Sequence, residues 1–128
     1  MAPQPAALEK VRSITANALD IYVEQVGHGP EVLLIGGLGD TVESWQFQLD
    51  GLANRYRLTA FDNRGAGRTT MPGGPVSVEE MADDAAGVLR ALDIRSAHVA
   101  GLSGGSVIAQ ELALGHADLV RSLVLQST

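Results

Sequence analysis

The sequence predicts an α/β domain built on a mainly parallel, doubly wound sheet. Apolar, strand-like runs alternate with amphipathic helical segments, a pattern that calls for right-handed crossovers between parallel strands. Three glycine-bearing loops, Gly36 to Gly39, Asp62 to Gly67 and Gly101 to Gly105, each follow a strand-like run. Hydrophobic residues make up 45% of the 128 and charged residues 19%, a balance that suits one packed core. In an open sheet of this kind chemistry sits beyond the carboxyl ends of the strands, where the three loops would lie.

Residues 1–13, with Pro3 and Pro5 among alanines, read as a flexible N-terminal arm, and residues 14–128 as one domain. From Ile14 to Val26 the pattern has the period of a strand, with Leu19, Ile21 and Val23 on one face and Asp20, Tyr22 and Glu24 on the other. Gly27-His28-Gly29-Pro30 is a turn cluster. Val32 to Ile35 is a continuous apolar run, the mark of a strand buried on both faces. The closeness of these two strands predicts an antiparallel lead-in. After Gly36-Gly37-Leu38-Gly39, the spacing of Asp40 and Glu43 predicts a capping box opening a helix through Leu52. Arg57 to Phe61 is the next strand.

Ser77 and Glu80 form a second capping box. Glu79, Glu80, Asp83 and Asp84 fill the first two turns and Arg90 lies near the far end, which suits the helix dipole. Val78, Met81, Ala82, Ala85, Leu89 and Leu92 recur at helical spacing. A strand from Ala97 to Leu102, a helix through about Ala113 and a strand from Val120 to Leu125 complete the order, for a sheet of about six strands.

Acidic residues outnumber basic ones 15 to 9, for a net charge of −6, and the one lysine is Lys10. Nucleic acids and anionic membranes both require clustered Lys and Arg, so neither is an expected partner. The absence of cysteine excludes thiolate metal sites and Cys nucleophiles. No run approaches the roughly 20 apolar residues of a membrane span. Residues 1–10 show no charged segment followed by an apolar one, so the expected setting is cytoplasmic.

Gly101-Leu102-Ser103-Gly104-Gly105 is G-x-S-x-G between a strand and a helix, the context that makes its serine a nucleophile. A sharp turn there lifts the hydroxyl above the sheet. Side chains at the flanking glycines would collide with neighbouring backbone. The Gly104 amide then falls where an oxyanion would form. The loop at Gly36 fails as a dinucleotide fingerprint, because the third glycine would stand at Val42, and fails as a Walker loop for want of lysine. What remains is an oxyanion loop, with the Leu38 amide as second donor. Asp40 reads as a helix cap before it reads as an acid.

Three motifs in this order, Gly36-Gly37-Leu38-Gly39 through Trp45, Phe61-Asp62-Asn63-Arg64-Gly65-Ala66-Gly67-Arg68-Thr69 and Gly101 to Gly105, resemble those of the α/β-hydrolases. The resemblance runs from about Thr15 to Gln126. It implies the amino-terminal portion of that fold, incomplete without a carboxyl-terminal part. It makes the middle motif a structural turn, with Asp62 and Arg64 not catalytic. The family usually has His-Gly where this chain has Gly36-Gly37. Its triad runs Ser, Asp or Glu, then His, yet only 25 residues follow Ser103 and family members are about twice this length. His28, His98 and His116 all map to the edge opposite the three loops, so none is the expected base.

The acid and the histidine are therefore expected from a carboxyl-terminal hydrolase segment, a separate or cleaved polypeptide. That segment would also cover the apolar edge strand at Val120 to Leu125, which is not expected to be stable alone. The resemblance implies a serine hydrolase acting on an ester-like or lactone carbonyl of a small-molecule substrate, with no metal and no cofactor. The alternative is a non-catalytic small-molecule binding protein on the same fold.

Overall fold

The computed structural model describes residues 10–127. Of the expected N-terminal arm, residues 1–9 lie outside the described residues, whereas residues 10–13 belong to the first strand. Six strands form one sheet: β1 (Lys10–Ala16), β2 (Leu19–Gly27), β3 (Glu31–Ile35), β4 (Arg57–Phe61), β5 (Ala97–Leu102) and β6 (Val120–Gln126). Their order is β1-β2-β4-β3-β5-β6. β4, β3, β5 and β6 pair in parallel, while β1 with β2 and β2 with β4 are antiparallel. Helix α1 (Gln46–Leu52) covers one face, and α2 (Val78–Ala91) and α3 (Gly104–Gly115) the other. No helix among the described residues is long and apolar enough to cross a membrane.

Alternation along the central strands builds both cores. Leu33 and Ile35 of β3 join Ile21, Val23, Ala85, Leu89, Ile108 and Leu112 beneath α2 and α3. Leu34 joins Val26, Leu58, Trp45 and Leu49 beneath α1. The Ser77 cap holds as expected: its Oγ accepts from the Glu80 N–H at 3.1 Å.

The alternating stretch from Ile14 to Val26 is two strands and not one. Asn17 and Ala18 turn the chain with φ of 49° and 63°, and β1 folds back on β2 as a hairpin. The antiparallel lead-in is thus β1 with β2. β2 and β3 are not neighbours, because β4 lies between them. The Gly27 turn makes room for it: at φ 93°, a Cβ there would stand 2.2 Å from the Tyr56 carbonyl oxygen and 2.5 Å from that of Ala53. The chain entering β4 passes directly over the turn, where His28 N–H donates to the Ala53 carbonyl and Arg57 N–H to that of Pro30.

Asp84, one of the acids in the first two turns of α2, points inward and is 2% exposed. Arg64, itself 8% exposed, grips it with two parallel bonds, Nε to Oδ2 at 2.7 Å and Nη2 to Oδ1 at 2.9 Å. Asn17 Nδ2 donates to the same Oδ1 at 2.7 Å. The Asp84 hydrogen bonds, ahead of its charge and that of Glu80, raise the Arg64 pKa further. One carboxylate thereby ties α2, the Asp62 loop and the β1–β2 turn together. Asp84→Ala strips a buried guanidinium of its two-pronged partner, leaving it only the half-exposed Glu80 at 3.2 Å, and is expected to cost about 3–5 kcal/mol of stability by urea unfolding, whereas replacing both Asp84 and Arg64 with apolar residues costs far less.

Candidate active site

The loops after β3, β4 and β5 meet at the carboxyl edge of the parallel strands. Ser103, between β5 and α3, has φ 56° and ψ −122°, a left-handed conformation that costs a serine about 1–3 kcal/mol. The surroundings hold it there. Its N–H donates to the Gln126 carbonyl at 2.8 Å, and its carbonyl accepts from Ser106 N at 3.0 Å and Ser106 Oγ at 2.6 Å. The glycines of the motif are demanded by contact: a Cβ on Gly105 would stand 2.0 Å from the Ile35 carbonyl oxygen, and one on Gly101 2.4 Å from that of Gly105. The start of α3 is thus pressed onto the end of β3, and Ser103 is left exposed above it.

Leu38 and Gly104 come together at the same point. A Cβ on Gly104 would lie 3.5 Å from both the Leu38 nitrogen and Gly37 Cα. Neither the Leu38 nor the Gly104 N–H meets an acceptor among the described residues. All three residues singled out from the sequence therefore share one patch.

Asp40 is not the cap of the following helix. That helix opens as a 3-10 turn at Val42–Trp45 whose N-cap, Thr41, makes no side-chain cap bond. Asp40 instead closes the glycine turn, Oδ2 accepting from Gly37 N–H at 2.7 Å. The Val42 N–H is met from another loop, by Asp62 Oδ1 at 2.8 Å. Asp62, fully buried, also accepts from Arg68 N–H at 2.9 Å and Arg68 Nε at 2.7 Å. Arg68 reaches on to Glu43 at 2.6 Å and lies 3.8 Å over the Tyr22 ring. Its hydrogen bonds to Asp62 and then Glu43 push its own pKa up, and its bond to Glu43 pulls that carboxyl down. Burial, then the Glu24 carboxylate to which its hydroxyl donates, pushes the Tyr22 pKa up to about 12. Asn63, overlooked in the sequence, donates from Nδ2 to Gly36 O at 2.7 Å and Gly37 O at 2.8 Å.

The three histidines stand where the topology put them. His98 is the second residue of β5, about 16 Å along an extended strand from Ser103. Its Nδ1 is 2.6 Å from Ser122 Oγ. His116 follows α3, about 18 Å along the helix, with Nε2 2.8 Å from Asp83. His28 sits in the turn before β3. Among the described residues no three His, Asp or Glu side chains gather to hold a metal ion. A groove of about 250 Å³ runs from Leu38 and Gly104 between α2 and α3, walled by Val76, Val78, Met81, Val107 and Ile108, with Ser77 its one polar residue.

The model of the α/β hydrolase fold family matches residues 30–128, and the chain belongs to that family. Over 75 residues it is 42% identical to the provisionally named carbamate hydrolase RutD of Azorhizobium caulinodans, a stretch that takes in 59% of this chain and 28% of that one. It is 35% identical over 92 residues to epoxide hydrolase 2 of Siraitia grosvenorii, covering 68% and 29%. Among solved structures, a hydrolase from Pseudomonas aeruginosa PA01 superposes with a TM-score of 0.85 at 29% identity, over 91% of this chain and 45% of that one. The chain thus spans less than half the length of these relatives, and its sheet is an incomplete version of theirs.

Proposed function

We propose that this chain is the nucleophile-bearing part of a serine hydrolase that cleaves an ester-like or lactone carbonyl in a cytoplasmic setting. The observation that carries the proposal is the convergence of an exposed Ser103, held in a left-handed turn, with two unengaged backbone N–H groups, those of Leu38 and Gly104. Ser103 Oγ attacks the carbonyl carbon and the two N–H groups stabilise the oxyanion. Its collapse breaks the ester C–O bond, the alcohol leaves with the proton taken from Ser103, and water later cleaves the acyl-serine. The proton of Ser103 passes to a histidine, oriented by Asp or Glu, from a carboxyl-terminal segment outside these 128 residues. No histidine described here lies near enough to serve. The aliphatic walls of the groove, with no charged side chain among them, favour an uncharged aliphatic substituent on the substrate. A carbamate, the substrate class in the name of the RutD relatives, presents the same kind of acyl carbon.

Labelling with a fluorophosphonate, mapped by peptide mass, tests the reading: the label belongs on Ser103. An unreactive serine in the assembled protein would favour a binding module instead. Leu38 acts through its backbone, so Leu38→Ala is expected to keep most of the turnover and change substrate fit. Leu38→Pro removes the donor and is expected to cost about 3–4 kcal/mol in the transition state. Equal kcat/KM in the two variants would place the donor elsewhere.

A further inference from the structure

We infer that Asn63 is a positioning residue for the oxyanion site, fixing the Gly37–Leu38 peptide so that the Leu38 N–H is presented beside Gly104. The inference rests on the hydrolase reading above. Asn63 is 2% exposed. Its amide nitrogen carries two hydrogens, and both are spent on the glycine loop, one on Gly36 O at 2.7 Å and one on Gly37 O at 2.8 Å. Asp40 completes the clamp: its N–H donates to Gly37 O at 3.0 Å and its Oδ2 accepts from Gly37 N–H at 2.7 Å. Of the four polar atoms in the two peptides flanking Gly37, three are therefore held. The fourth is the Leu38 N–H.

A trans peptide is planar, and its N–H points opposite to its carbonyl. Holding Gly37 O against Asn63 thus turns the Leu38 N–H away from Asn63. Beyond these bonds to Asn63 and Asp40, the loop has no further lock among the described residues. Gly36, Gly37 and Gly39 carry no side chain to restrict rotation, and glycine accepts either sign of φ. The orientation of this peptide must come from hydrogen bonds. Asn63 is itself well anchored, between Asp62, bound to Arg68 and the Val42 N–H, and Arg64, bound to Asp84.

The test is made on the assembled protein, with kcat and KM for p-nitrophenyl butyrate and the rate of fluorophosphonate reaction at Ser103. Asn63→Ala is expected to lower kcat and the labelling rate about 10–100-fold while KM stays within about twofold. Asn63→Asp, of equal size but only an acceptor toward two carbonyl oxygens, is expected to lose at least as much. When the Leu38 N–H is replaced by an ester oxygen through α-hydroxy-acid incorporation, Asn63→Ala should cause no further loss, because the group it orients is gone. A lowered melting temperature with kcat retained, or the same loss in both backgrounds, overturns the role of Asn63 alone. Should Asn63→Ala not fold, Asn63→Ser, which keeps one donor, takes its place in the same comparison. A wild-type protein unreactive at Ser103 overturns the hydrolase reading itself.

Discussion

Ser103→Ala is expected to abolish fluorophosphonate labelling and to lower ester turnover by several powers of ten. The change removes one oxygen and little else. The Ser103 side chain makes no capping bond to the helix it precedes, and its exposed position leaves no cavity to collapse. Alanine carries the same Cβ, so the left-handed backbone at φ 56° is no more strained than before. Urea unfolding of the variant should therefore match wild type, and the loss reads as chemistry and not as stability. Ser106 is the contrasting serine. It is fully buried, and its Oγ is already committed to the Ser103 carbonyl at 2.6 Å. Ser106→Ala is a structural change of about 1 kcal/mol, with labelling at Ser103 retained. Near-normal turnover in Ser103→Ala would remove Ser103 from the mechanism.

Local signals carried most of the fold. Most strand and helix periods, the Ser77 cap and the G-x-S-x-G turn are each written within a few residues and stand where the sequence put them. Most of the failures depended on a partner far along the chain. Asp40 and Glu43 have the spacing of a capping box, but the N–H at Val42 is met by Asp62, 20 residues away. Asp40 was thereby left to close the glycine turn. The hairpin between β1 and β2 is hidden because both strands continue one alternation, and Ala18, at φ 63°, gives no turn signal. β4 slips between β2 and β3 because of contacts over Gly27 that no local pattern records. Asp84 was legible. It lies three residues after Met81 and four before Val88, on the buried stripe of α2, and an acid on that stripe needs a cation. At the site, Ser103, Leu38 and Gly104 follow from motif spacing, whereas Asn63 does not, since its partners are carbonyls 26 and 27 residues away.

The second large effect concerns what completes the sheet. β6 lies at one end, paired only with β5 among the described residues, and Val124 and Leu125 are 61% and 41% exposed. Below it a mostly apolar recess of about 400 Å³ opens between β6 and α1, lined by Leu34, Trp45, Leu52 and Val124 with Gln48, His98 and Ser122 among them. An apolar edge of this kind pairs with another strand or aggregates. Supplying a carboxyl-terminal hydrolase segment would pair with β6, bury this face and bring histidine and carboxylate to Ser103. The gain is expected in turnover above all, because a serine without a base is a weak nucleophile.

The most direct measurement is ester hydrolysis by these 128 residues alone, beside the same chain co-expressed with a complementary carboxyl-terminal segment, each with and without Ser103→Ala. Turnover that depends on both the segment and Ser103 is the predicted result. Robust, Ser103-dependent turnover by the isolated chain would contradict it, and would require a base within these residues or one donated by a second copy of the chain.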